Sequence, residues 1–234
     1  MDELIVEWIN KKIVSRGTGS DKIISGVFLI GKNTSDPSAS NIDVFKDPNN
    51  HVDATSSILA FSADQTNFHP GSQSPESSAS SFDEYTQKVS EFPGFTLKSN
   101  DVSSITIDGT FSQVKEIISN SYPPKDKAEG AIQRQLSGFL VHSHSDEKNY
   151  MFTHTSINNS EGDVSFRILT IPLTISHDDT ERAIIGSQMT SLSITEFNVV
   201  SGTLVASAET LSKSISKTQL ADFTTDITTP YNCV

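Results

Sequence analysis

The chain has 234 residues with 29 acidic against 17 basic side chains, a net charge of −12, and 37 Ser plus 22 Thr make up a quarter of it. That acid surplus argues against a nucleic-acid partner, which would need Lys and Arg set against phosphates, and the single Cys233 excludes an internal disulfide framework. No run approaches the ~18–20 consecutive apolar residues of a membrane-spanning helix, so the reading is a soluble, acidic globular chain, with residues 1–234 as one domain that needs no staples.

The N-terminal stretch MDELIVEWINKKIVSRG opens acidic and its longest apolar run is Leu4 to Val6, so it does not read as an export signal. A cytoplasmic location is therefore the default expectation, with non-classical release as the alternative. Leu4, Ile5, Trp8, Ile9 and Ile13 recur at helical spacing, which predicts a helix over 3–16 with Asp2 as N-cap and Gly17 after its end. Acids lie early in it and Lys11, Lys12 and Arg16 late, as the helix dipole favours. Its apolar stripe either packs on the domain or docks on a second subunit, which makes Ile5, Trp8 and Ile9 the candidate interface residues.

Residues 22–31, KIISGVFLIG, read as a buried strand. Gly26 to Lys32 also fits the start of a phosphate-binding loop, but Asn33 stands where the magnesium-holding Ser or Thr belongs, and Val27–Ile30 are strand formers. The polar stretch 33–55, a short apolar segment Ile58–Phe61 and the loop-like 64–83 follow. A short helix is predicted over 84–91 and a strand over 103–111, then a helical pair over 112–121 and 125–136 split by Pro123-Pro124. The second half reads as strands at 138–145, 149–157, 163–176, 184–200 and 203–208, with weak helical spacing over 209–222.

Within 163–176 the apolar parity changes between Ile168 and Leu169, which predicts a bulge or bend there, and Pro172 favours an edge strand or a bulge. The fold expected is α+β: a mainly antiparallel sheet with an N-terminal helix and a mid-chain helical pair, a two-sheet sandwich being the alternative.

Three clusters bear on chemistry. His142 and His144, spaced to share one face of a strand, begin a metal site, and His154 would join them if the intervening loop holds an odd number of residues. Ordinary strand histidines beside a turn are the preferred reading, so no cofactor is expected, with a divalent metal as the alternative. His177-Asp178-Asp179 lacks the alternating acids of a calcium loop and reads as a solvated turn. No GxSxG elbow marks a serine nucleophile, and no catalytic residue is assigned.

The function expected is accordingly a non-enzymatic self-assembling or interaction protein, its partner a second copy of itself. A membrane-active, pore-forming (cytolysin-like) protein is the first alternative, because Ser/Thr alternating with apolar residues, as in 184–200, suits a strand with one face to water and one to lipid. A metal-dependent enzyme using His142 and His144 is the second.

Overall fold

A computed structural model describes residues 1–13, 22–30, 36–68, 75–109, 112–113, 116–117, 120, 148–160, 162–177, 183–184 and 186–217. In chain order the elements are α1 (Asp2–Asn10), β1 (Lys22–Ile30), α2 (Asn41–Lys46), a 3-10 turn (Pro48–Asn50), α3 (His51–Thr66) and α4 (Pro75–Ser90). There follow β2 (Phe95–Asp108), β3 (Lys148–Ser160), β4 (Asp163–His177), β5 (Ala183–Ile184), β6 (Ser187–Val199), α5 (Ser201–Ala206) and α6 (Ala208–Ser214). The fold is α+β.

Among the described residues there is one sheet, in the order β1-β3-β4-β6-β2, with β5 paired to the end of β4, rather than a sandwich. Only β1 and β3 run parallel; β3–β4, β4–β6 and β2–β6 are antiparallel. The helices cover one face. Val164, Phe166 and Ile168 of β4, with Ile157, Phe197 and Phe95, join a core to which the helices supply Ile5, Trp8, Phe45, Ile58, Leu59, Tyr85, Val89, Leu204 and Leu211. Leu169, Ile171, Leu173 and Ile175 are also buried, together with Phe152 and Ile107, but stand outside that cluster.

This two-sided burial explains the parity change in β4. The β3–β4 register runs without interruption from Lys148↔Ile175 to Ser160↔Asp163, so the expected bulge at Ile168-Leu169 is absent. Instead the strand buries one face in its first half and the other in its second. The irregularity in the sheet falls between Leu97 and Ser99, in β2.

Pro172 sits inside the sheet, opposite Met151 of β3, not on an edge strand. Its missing N–H is met by a local change: the β4–β6 ladder ends at Thr170↔Ser193, just before it. Side chains then replace backbone. The Thr190 hydroxyl donates to the Pro172 carbonyl at 2.5 Å, and the Gln188 amide accepts from Thr174 N and donates to Thr174 O, both at 2.8 Å. Beyond Ser193, β6 stays with β2 as far as Ser187↔Asp108.

Three expectations need correction: a loop, a strand and a helix end. The segment 64–83 is not a loop throughout, since α3 runs to Thr66 and α4 starts at Pro75. Residues 203–208 are helical rather than a strand: Leu204, Ala208, Leu211 and Ile215 are buried at spacings of three and four across α5 and α6. And α1 ends at Asn10, because Lys11 is already extended. The end of α1 is stabilised from outside: Lys88 of α4 donates to the Trp8 carbonyl and, at 2.7 Å, to the Lys11 carbonyl. An ammonium at a helix C-terminus meets both the orphan carbonyls and the dipole. The residues predicted as 125–136 and 138–145 lie outside the described ones, as does most of 112–121.

His51, at the start of α3, is buried, its Nε2 lying 3.1 Å from the Phe45 carbonyl. Burial pushes its pKa below the usual 6.5, against smaller opposing effects of the Phe45 carbonyl and Asp47. Well above pH 6.5 the ring is neutral whether the chain is folded or unfolded. Below it the unfolded chain takes up the proton first, so stability falls with pH until the folded value is passed. The urea midpoint should therefore drop between about pH 7.5 and about pH 5.5, and less steeply in His51→Asn. Equal slopes in the two proteins would exclude His51 as the source.

Candidate functional site

Among the described residues the most exposed part of the sheet is the ribbon formed by β2 and β6. β2 ends the strand order, and of its 14 residues only Phe95 and Ile107 are buried. Its sequence, FTLKSNDVSSITID, alternates weakly and carries charge at Lys98, Asp101 and Asp108. Charges and a bulge are common ways of protecting a sheet edge from unwanted pairing. Large apolar side chains nonetheless stand in solvent here: Leu97 is 61%, Val102 66% and Met189 78% exposed. Val102 and Met189 share the sheet face that carries the helices, at positions opposite Ser193 and Thr106.

The other face of the ribbon holds a charged triad. Glu196 of β6 is buried and receives Lys98 Nζ at 2.8 Å and Arg167 Nε at 3.1 Å. Burial alone would raise its carboxyl pKa; hydrogen bonds and charge from Lys98 and Arg167 more than offset this and hold it below the usual carboxylate range. Lys98 stands in the bulge, which turns it toward Glu196 across the strand pair.

Between α4 and the helix-covered face of β4, β6 and β2 lies a groove of ≈ 450 Å³. Phe82, Ile168 and Phe197 form its apolar lining, and Asp83, Asn100, Thr170, Ser193 and Thr195 are among its polar residues. Thr195 Oγ1 donates to Asn100 Oδ1 at 3.2 Å, which orients that amide and, among the described residues, leaves its nitrogen unused. Among the described residues no Lys, Arg or His lines the groove.

Of the residues singled out in the sequence, Ile5 and Trp8 are buried in the chain's own core and Ile9 packs half-buried against it. The indole N–H of Trp8 donates to Lys88 O at 2.9 Å, and the Lys88 ammonium lies 4.7 Å from its ring centroid. His142 and His144 lie outside the described residues; the backbone of His154 is in β3, opposite Leu169 and Val27. Among the described residues no three His, Cys, Asp or Glu side chains gather as a metal site. The segment Gly26–Ile30 is strand, as read. The groove residues come from four separate elements and share no local motif, so only the topology brings them together.

No protein-family model matches the chain. No curated protein matches it either. Among solved structures it is similar to a delta-endotoxin, at 9% identity and a TM-score of 0.41 over 96% of each chain. It is similar to the Evf virulence factor at 9% identity and TM-score 0.43, over 84% of this chain and 82% of that one. The activated Cyt2Ba monomer from Bacillus thuringiensis subsp. israelensis gives 12% identity and TM-score 0.41, over 76% of this chain and 98% of that one. At these identities no residue and no activity is transferred.

Proposed function

We propose that this chain is a non-enzymatic protein that associates with copies of itself through its sheet edges and acts on lipid membranes. The observation that carries this reading is β2, a 14-residue edge strand left almost wholly exposed. A long exposed edge is a ready template for another strand. The topology adds a second support. Tracing directions across the sheet makes β1 and β2 opposite in sense. Copies set side by side in one orientation then bring β2 of one against β1 of the next as an antiparallel pair, a head-to-tail contact that builds rings or filaments.

Strand length favours a membrane as the target. β2, β3, β4 and β6 have 14, 13, 15 and 13 residues, against roughly 9–11 for a tilted strand crossing the hydrocarbon. No described helix is long and apolar enough to cross. With a net charge of −12, the chain is better suited to zwitterionic than to anionic lipid.

The test combines dye release from phosphatidylcholine vesicles with native mass by light scattering, in solution and after vesicle contact. Release together with a defined multimer is expected. A multimer without release would leave a soluble assembly, and a monomer with no release under either condition would refute the reading. Val102→Glu with Met189→Glu should lower release severalfold. Both sites are exposed, so stability should stay within about 0.5 kcal/mol. Full release by this double variant would remove the ribbon from the mechanism.

A further inference from the structure

The groove beneath α4 has a chemistry that strand pairing and membrane contact do not use. Its lining combines groups that both donate and accept hydrogen bonds, the hydroxyls of Thr170 and Ser193, with a pure acceptor, the Asp83 carboxylate, and a donor, the Asn100 amide nitrogen. Among the described residues none of these four groups is engaged within the chain. They line the same groove as the apolar Phe82, Ile168 and Phe197, Thr170 and Ser193 being paired neighbours on β4 and β6. The size, ≈ 450 Å³, falls within the range of small-ligand sites, roughly 300–1,000 Å³.

What the groove lacks narrows the ligand. Among the described residues of its lining there is no cationic side chain, so a phosphate, sulfate or carboxylate entering it would gain no counter-charge from them, and Asp83 would repel it. A purely apolar ligand would cover the half-buried Thr170 and Ser193 hydroxyls without pairing them. The molecule that satisfies both conditions is neutral, carries several hydroxyls around its edge, and has an apolar face of C–H groups for the lining.

The geometry points to a binding site for a neutral sugar, a mono- or disaccharide unit, held between α4 and the sheet. Asp83 and Asn100 take opposite ends of its hydrogen-bonding edge, from α4 and β2 respectively, and Thr170 and Ser193 meet it from the sheet. The site stands independently of the membrane reading. A chain that binds no vesicle would still bind the sugar, and a sugar-blind variant would still self-associate.

The experiment is saturation-transfer NMR on the full chain, in buffer without lipid, with glucose, galactose, mannose and N-acetylglucosamine as probes and N-acetylneuraminic acid as the anionic control. Transfer to at least one neutral sugar and none to the acid is expected. Affinity for that sugar should fall at least about tenfold in Asp83→Asn combined with Thr170→Val. Asp83 is exposed and Thr170→Val keeps the side-chain shape, and an unchanged urea midpoint would establish that the fold is kept. No transfer from any of the four sugars, equal transfer to the acid, or full binding by the folded double variant would each overturn the assignment.

Discussion

Replacing Trp8 by Ala should lower the unfolding free energy by about 3–5 kcal/mol, the range for deleting a buried aromatic side chain. Trp8 is 3% exposed, with its ring centroid 4.7 Å from that of Phe92 and 5.5 Å from that of Phe61. The loss exceeds a simple cavity because Lys88 depends on the same ring. Lys88 is fully buried, and burial pushes its pKa down, opposed in part by Glu91. Without the indole that ammonium loses a cation–π contact and gains a void beside it. Urea denaturation monitored by circular dichroism measures the effect. Lys88→Met keeps the volume, strands the Lys11 carbonyl and leaves that of Trp8 with the Lys11 N–H alone, so it should cost less, about 1–3 kcal/mol. A Trp8→Ala loss below about 1 kcal/mol would mean that α1 is only loosely held.

Phe166→Ala should be comparably damaging, at about 3–5 kcal/mol. Phe166 is fully buried in β4, in a T-shaped contact with Phe95 at 4.7 Å and stacked on Phe197 at 5.0 Å. The three rings link β2, β4 and β6 beneath the helices, where the aromatic pairs add to the area they bury. The same denaturation series compares it with Val102→Ala, an exposed position expected to stay within about 0.5 kcal/mol. Similar losses at the two sites would contradict the assignment of the core to this face.

How far these features were legible in the sequence varies by element. The strands 22–31, 149–157 and 163–176 were readable because apolar residues run or alternate through them, and β1, β3 and β4 occupy nearly those ranges. Helix α3 was not, and the reason is chemical. The Thr55, Ser56, Ser57, Ser62 and Thr66 hydroxyls each donate to the carbonyl four residues earlier, and all five side chains are buried. Hydroxyls satisfied by their own helix can enter a core, so a segment that reads as polar is enclosed on every side. Composition then argues for a loop where packing makes a helix.

The groove left even less trace. Asp83, Asn100, Thr170 and Ser193 lie far apart along the chain, and each is ordinary where it stands. Their meeting depends on β2 pairing with β6, a register fixed in part by the bulge between Leu97 and Ser99. Likewise, the cation at the end of α1 comes from α4, although Lys11, Lys12 and Arg16 were nearer in sequence. Local charge patterning has no means of selecting Lys88.

Strand order also governs when the sheet can form. β1 pairs with β3 and β2 with β6, so neither strand of the first half has a described partner in that half. During synthesis β1 and β2 wait for their described partners until residues beyond Lys148 have emerged. Late, distant pairing of this kind slows folding and prolongs the exposure of strand edges. The acid surplus of residues 33–101 suits that interval, since like charges keep the waiting half mutually repelling. Circularly permuting the chain so that β3–β6 come first would shorten the wait for β1 and β2.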